Sequence, residues 1–254
     1  MLIRIPLISW DIIIYRVRKC KIKKIRKVNT KTAFYKTVKL LKDTKNQKIF
    51  CISLQRSGTT SVGQFLKDHE FKVAGYGEHS EEWSNLWEKG DYEGIFKSKM
   101  FRENQAFEDN PWWSTDFYRF LNFKFPNARF ILLYRDSDKW FDSMISHGLI
   151  KYHSHSYGHS KIYFRLNEYY NRSRYNYPVM DDEQIIAEFE SKREHYKSVY
   201  ELYNREVVEY FAKNAPNKLF HTNLEDKDKW EKMANFLDIK IKKGYDIHAN
   251  ITIK

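Results

Sequence analysis

The sequence predicts an α/β fold in which a central, mainly parallel sheet is flanked by helices in three layers. Two short apolar runs, Ile49–Ile52 and Arg129–Tyr134, read as strands buried on both faces. Each leads straight into a helix: Val62, Phe65 and Leu66 recur at helical spacing after the first, and Ser137 to His147 follows the second. Strand–helix alternation of this kind builds a parallel sheet covered on both sides. Ligands of such sheets bind beyond the carboxyl ends of the strands.

The 254 residues divide into a basic and apolar extension, 1–45, and one α/β domain, 46–254, long enough for a substantial core. Residues 2–14 are apolar but interrupted by Arg4, Pro6 and Asp11. A membrane-spanning helix needs roughly 20 apolar residues, so none is expected here. No small-residue cleavage site follows, so no secretory signal is expected either. A basic run from Arg16 to Lys31 comes next, and with Trp10 it suits peripheral contact with an anionic membrane surface through residues 1–31. A solvated or partner-docking arm is the plainer reading. Residues 32–45 read as a polar connecting helix.

A net charge of +12 and a pI near 9.4 predict anionic partners. Nucleic acid is not expected, because no zinc-finger spacing, RNP-like strand or basic-region heptad occurs. The two cysteines, Cys20 and Cys51, form neither a disulfide framework nor a metal site, which points to a reducing compartment and the cytoplasm.

Within the domain, Phe71–Gly75 reads as a second strand running into a Gly-punctuated loop that carries Glu78 and His79. Trp83 to Met100 reads as a surface helix. Ala106-Phe107 introduces Glu108-Asp109-Asn110-Pro111, where Pro111 ends any strand. A helix is expected from Ser114 to Phe123, with Ser114 or Thr115 as its N-cap. Residues 150–180 have no clean periodicity and suit a lid or acceptor-binding insertion. Their histidines, His153, His155 and His159, are expected to be solvated rather than metal-bound. Residues 182–214 form a long helical stretch, Leu219–His221 a last short strand and Trp230–Leu237 a final helix.

Chemistry concentrates in Gln55-Arg56-Ser57-Gly58-Thr59-Thr60, a tight strand-to-helix turn. Unpaired amides and a helix dipole converge there on one point, which makes an anion site. Against the pattern G-x-x-x-x-G-K-[ST], Gly58 and Thr60 fit, but Ser53 replaces the first glycine and Thr59 the lysine. That lysine serves the β/γ-phosphates of a nucleoside triphosphate. Here the fixed charge is Arg56, so the loop suits a phosphate without a triphosphate tail. A second cationic group stands at the end of the other strong strand: Arg135, whose guanidinium can grip a phosphate bidentately, with Ser143 about two helical turns further on. Arg56, Asp109 and Arg135 thus all fall at predicted strand ends.

Leu54-Gln-Arg-Ser-Gly-Thr-Thr60 resembles the 5′-phosphosulfate loop of sulfotransferases that use 3′-phosphoadenylyl sulfate (PAPS). Members usually carry Pro where this chain has Gln55. Arg129-Phe-Ile-Leu-Leu-Tyr-Arg135-Asp, with Ser143 eight residues after the arginine, is similar to the family's 3′-phosphate motif. Asp109-Asn-Pro111 looks like the Asp-x-Pro segment of a bacterial and eukaryotic branch. Phe236-Leu-Asp, with Asn250 downstream, resembles the closing segment of many members. The likeness covers about residues 47–250.

The resemblance implies a three-layer P-loop fold and a metal-free transfer of sulfuryl from PAPS to a hydroxyl or amine acceptor. Arg56, Ser57, Gly58, Thr59, Thr60 and Ser61 would hold the 5′ end of the nucleotide, and Arg135 with Ser143 the 3′-phosphate. Arg56 would also stabilise the leaving oxygen. The family's general base is a His or a Glu, leaving Asp109 and Glu78 equally ranked here, then His79, then Glu108. Basic charge and abundant aromatics favour a carbohydrate or glycolipid acceptor, hence glycan sulfation, with a small alcohol as the alternative. The competing readings are a P-loop nucleotide or sugar kinase, which would need Mg²⁺ and the missing lysine, and a non-catalytic binder of acidic glycan or membrane.

Overall fold

The computed structural model describes residues 47–75, 77, 80–147, 154–175 and 179–247. The expectations for residues 1–45, and those for Glu78, His79, His153 and Asn250, lie outside the described residues.

Five parallel strands form one sheet: β1 (Ile49–Cys51), β2 (Val73–Ala74), β3 (Ala106–Phe107), β4 (Arg129–Tyr134) and β5 (Leu219–Asn223), in the order β2-β3-β1-β4-β5. The alternation of side chains along a strand explains the layering. Phe50, Phe107, Phe130 and Leu132 enter one apolar cluster, while Ile49, Cys51, Ile131 and Leu133 enter another. A strand that is apolar on both faces must be covered on both. Helix α1 (Thr59–Asp68) covers the second face, contributing Val62, Phe65 and Leu66. The other face is packed with aromatic rings, and Phe50 alone contacts those of Phe101, Phe107, Trp112, Phe125 and Phe130.

The expected single helix over 83–100 is three: α2 (Ser80–Glu88), α3 (Tyr92–Lys97) and α4 (Lys99–Glu103). Gly90 adopts φ 76°, and Asp91 and Ser98 accept hydrogen bonds from the amides of Gly94 and Phe101, so local capping breaks the chain twice. The stretch is also not surface-lying, because Trp83 and Trp87, one turn apart, are both buried. Helix α5 (Phe117–Lys124) starts later than expected. Ser114 is no cap: its hydroxyl donates to Asn110 Oδ1 at 2.9 Å, closing the Asn-Pro turn instead.

Helix α6 (Ser137–Ser146) is capped by Asp136, which accepts from the Lys139 amide. Among its described residues the insertion without periodicity has the helices α7 (Tyr157–Ile162) and α8 (Leu166–Tyr175). His159 is buried rather than solvated, its Nε2 lying 3.0 Å from the Tyr196 hydroxyl. The stretch 182–214 breaks at Ser191-Lys192 into α9 (Asp182–Glu190) and α10 (Arg193–Asn214), and α11 (Lys229–Leu237) closes the Cys51 face. Among the described residues no helix is long and apolar enough to cross a membrane.

Ion pairs tie the insertion together. Glu188 meets Lys192 at 2.8 Å, Arg165 at 3.4 Å and Arg172, while Glu168 meets Arg165 and Lys192. Burial opposes ionisation of Glu168, but hydrogen bonds from Arg165 and Lys192 outweigh it and hold its carboxyl at about 2, against an ordinary 4.5. Glu188 is lowered against burial in the same way, by Lys192 and Arg172. A carboxyl depressed on folding stabilises fully above its unfolded pKa, and that contribution fades as pH falls through the folded value. Thermal midpoints are therefore expected to fall as pH drops from about 4.5 towards 2, less steeply in Glu168→Gln. Identical slopes in the two proteins would contradict this.

Candidate active site

Arg56 follows β1, Asp109 follows β3 and Arg135 follows β4, so all three stand at the carboxyl ends of three adjacent strands. Strand order reverses about β1, since the chain first moves towards β2 and later to β4 on the opposite side. Crevices of open α/β sheets form at such a point.

The loop after β1 turns sharply, with the Ser57 amide donating to the Leu54 carbonyl at 3.1 Å. Arg56 has φ 64° and Gly58 has φ 82°, both left-handed. A Cβ at 58 would also lie 2.6 Å from Leu224 Cδ1, so the leucine would have to shift for any larger residue there. Helix α1 then begins with no side-chain cap and no acidic residue of its own in its first turn, a start that favours an anion. Thr59 and Ser61 are buried within this turn, and Thr60 is partly exposed. Ser53, standing where a nucleotide loop has glycine, extends the sheet instead: its hydroxyl accepts from the Leu133 amide at 2.7 Å.

Arg56 and Ser143 meet directly, Nε donating to Oγ at 3.0 Å. Arg135 lies elsewhere than on Ser143; its Nη2 is 3.9 Å from Glu225, and its buried Nε has no hydrogen-bond partner. The two guanidiniums share one neighbourhood. Burial lowers the pKa of Arg56, the like charge of Arg135 lowers it further, and Asp109 opposes both. Two cations held this close, with an unsatisfied guanidinium nitrogen, suit a bound polyanion.

Tyr200, which its sequence spacing marks only as core, ties the two arginine-bearing segments together. The Tyr200 phenol on α10 accepts from the Arg135 amide at 2.9 Å and lies 3.2 Å from Ser57 Oγ, so one side chain touches both anion segments. Gln55, the departure from proline, donates to the Tyr163 hydroxyl at 3.0 Å, while its carbonyl accepts from Trp140 Nε1 at 2.9 Å. The substitution trades a rigid ring for a tether between the loop and the insertion.

Asp109 has φ 69°, a backbone state Asp tolerates better than most residues. Its carboxylate accepts from the Asn110 amide at 2.7 Å and from Trp113 Nε1 at 3.2 Å. Burial raises its pKa, against those bonds and the charge of Arg56. Glu108 points the other way. Added Cβ atoms on Gly63 and Gly75 would come within 2.9 and 2.7 Å of its side chain, so it is packed behind the loop between α1 and the end of β2. His147, at the end of α6 and one turn beyond Ser143, feels the field of Arg56: burial first, then that charge, lowers its pKa. Among the described residues no group of three or more His, Cys, Asp or Glu is arranged to hold a metal ion. The Cys51 thiol, buried in β1, is pushed up to about 12 by burial and is inert packing.

A five-stranded parallel sheet with a tight strand-to-helix turn at its switch point is the arrangement of the P-loop α/β fold class. Within that class the chain belongs to the sulfotransferase domain family, whose sequence profile matches residues 48–246. It is thus a PAPS-dependent sulfotransferase. A solved structure of a sulfotransferase from Alicyclobacillus acidocaldarius is similar at 10% identity and a TM-score of 0.42, over 80% of this chain and 87% of that one. No curated protein matches the chain.

Proposed function

We propose that this enzyme sulfates a hydroxyl or amine of a carbohydrate or glycolipid by in-line, metal-free displacement. The acceptor oxygen or nitrogen bonds to sulfur as the bridging S–O bond breaks. The acceptor's proton passes to a base, and adenosine 3′,5′-bisphosphate leaves with the bond's electron pair. The observation that carries the reading is the placing of Arg56, Asp109 and Arg135 at three neighbouring strand ends. The loop amides and Arg56 bind the 5′ end and take up charge on the leaving oxygen. Arg135 binds the 3′-phosphate, and Ser143 acts by orienting Arg56 through its 3.0 Å contact. Asp109 is the base.

Thermal shift with adenosine 3′,5′-bisphosphate tests the donor assignment, because a ligand of the folded state raises the midpoint by mass action. At about 100 times its Kd the gain is about 2.7 kcal/mol. Sulfuryl transfer that persists in a chelator separates this enzyme from a magnesium-dependent kinase. No shift with the bisphosphate would favour the non-catalytic binder.

A cavity of about 510 Å³ supports a seat for the acceptor. Leu54, two residues before Arg56, lines it with Phe164, Leu202 and Tyr203, and Asp116 and Arg119 supply polar groups. Tyr203 lies about one helical turn from Tyr200, which touches the loop. Phe164 is 65% exposed, and such an aromatic face suits stacking on a sugar ring. Phe164→Ala is expected to raise the acceptor KM about tenfold and leave the PAPS KM unchanged, as for the loss of one stacking contact worth about 1 kcal/mol or more. A raised PAPS KM with an unchanged acceptor KM would move the acceptor elsewhere.

A further inference from the structure

The loop after β5 brings a carboxylate to the place where the nucleotide's 3′-phosphate is needed. Glu225 lies 3.9 Å from Arg135 Nη2, and both its oxygens accept from Lys139 Nζ, at 2.8 and 2.9 Å. The loop is held in position from two sides. Leu224 packs onto Gly58 of the phosphate loop, and the Glu225 amide donates to Asn223 Oδ1 at 2.8 Å. Lys139 sits in the first turn of α6, four residues after Arg135, so both cations face the same carboxylate.

We propose that Glu225 is an internal stand-in for the 3′-phosphate and that Lys139 is a further cation of the nucleotide site. The assignment rests on the donor reading given above. The Arg135 Nε is buried and unpartnered, whereas Nη2 meets Glu225 only at long range, so the carboxylate satisfies this guanidinium incompletely. A phosphate dianion carries more charge and three acceptor oxygens. It can take a bidentate bond from Arg135 and a contact from Lys139 together, which one carboxylate at this distance does not. Binding therefore exchanges one anion for a better one, and nucleotide affinity reflects the difference between them. Release of the bisphosphate product is eased by the same exchange, because the cations are never left bare. Glu225 thus sets affinity for the 3′ end, and Lys139 adds selectivity for a nucleotide phosphorylated there.

The test compares adenosine 3′,5′-bisphosphate with adenosine 5′-monophosphate by calorimetry on wild-type protein, Glu225→Gln and Lys139→Ala. Both positions are at the surface and their loss leaves the core intact. Glu225→Gln is expected to tighten the bisphosphate about two- to fivefold, the scale of an exposed ion pair, with the monophosphate unchanged. Lys139→Ala is expected to weaken the bisphosphate about tenfold, the monophosphate again unchanged. Equal shifts for both nucleotides in Glu225→Gln, or none, overturn the stand-in, as does weaker bisphosphate binding in that variant. An unchanged bisphosphate affinity in Lys139→Ala removes Lys139 from the site. A wild-type chain that ignores the bisphosphate sinks the donor reading and this inference together, whereas a binding wild type with an indifferent Glu225→Gln sinks the inference alone.

Discussion

Arg56→Ala is expected to lower kcat by about 10²–10³-fold, the cost of removing one preorganised donor to a developing oxyanion. The physical reason is position. Arg56 projects from a left-handed loop residue beside the positive end of α1, and its Nε is held by Ser143 at 3.0 Å. It is partly buried, so its charge acts in a medium of reduced polarity. Arg56→Lys keeps a charge but gives up the planar fork, and Ser143→Ala keeps the fork but frees its orientation. Both are expected to lie between wild type and alanine. Thermal shift with the bisphosphate should shrink in Arg56→Ala but persist, because the proposed reading leaves Arg135 to bind the other end. Single-turnover rates with PAPS measure the effect, and wild-type turnover in the alanine variant would remove the mechanism.

Asp109→Asn is expected to reduce turnover by about 10²–10⁴-fold, the range for loss of a positioned general base, with bisphosphate binding intact. A base must be deprotonated to act. Burial raises Asp109 above its ordinary 3.8, so kcat should climb with pH through an acid limb displaced upward from that value. Asn preserves the shape and the contact with the Asn110 amide but cannot take a proton. In the variant both the rate and the limb should go. A limb that survives in the variant would hand the proton to another group; among the described histidines His147 feels the charge of Arg56, and its limb would lie below the ordinary imidazole value of 6.5. An Asp109→Asn enzyme of normal rate would exclude Asp109 as the base.

The central strands and the phosphate loop were legible because their signals are local. Ile49–Cys51 and Arg129–Tyr134 are buried strands, and each leads into an arginine-bearing turn and a helix. Tyr200 was not legible. It contacts Arg135 across 65 residues of sequence, and on its own helix it follows Tyr196 and precedes Tyr203, all buried, so spacing alone marks it as core. The division of 83–100 into three helices depended on Asp91 and Ser98 acting as caps, residue types equally at home on a solvated helix face. Nor did the motif spacing reveal that Ser143 accepts a hydrogen bond from Arg56, since a position two turns along a helix has no sequence mark for which arginine it faces.

The phenol of Tyr200 has one more consequence. It hangs from a helix of 22 residues and touches Ser57 and the Arg135 backbone at once. In the proposed donor reading, the gap between the two phosphate-binding segments would be gauged by a stiff arm, as in a caliper whose jaws are locked. On that reading, donors would be sorted by the span between their two charged ends, and Tyr200→Phe would blur the choice of donor without touching the reacting atoms.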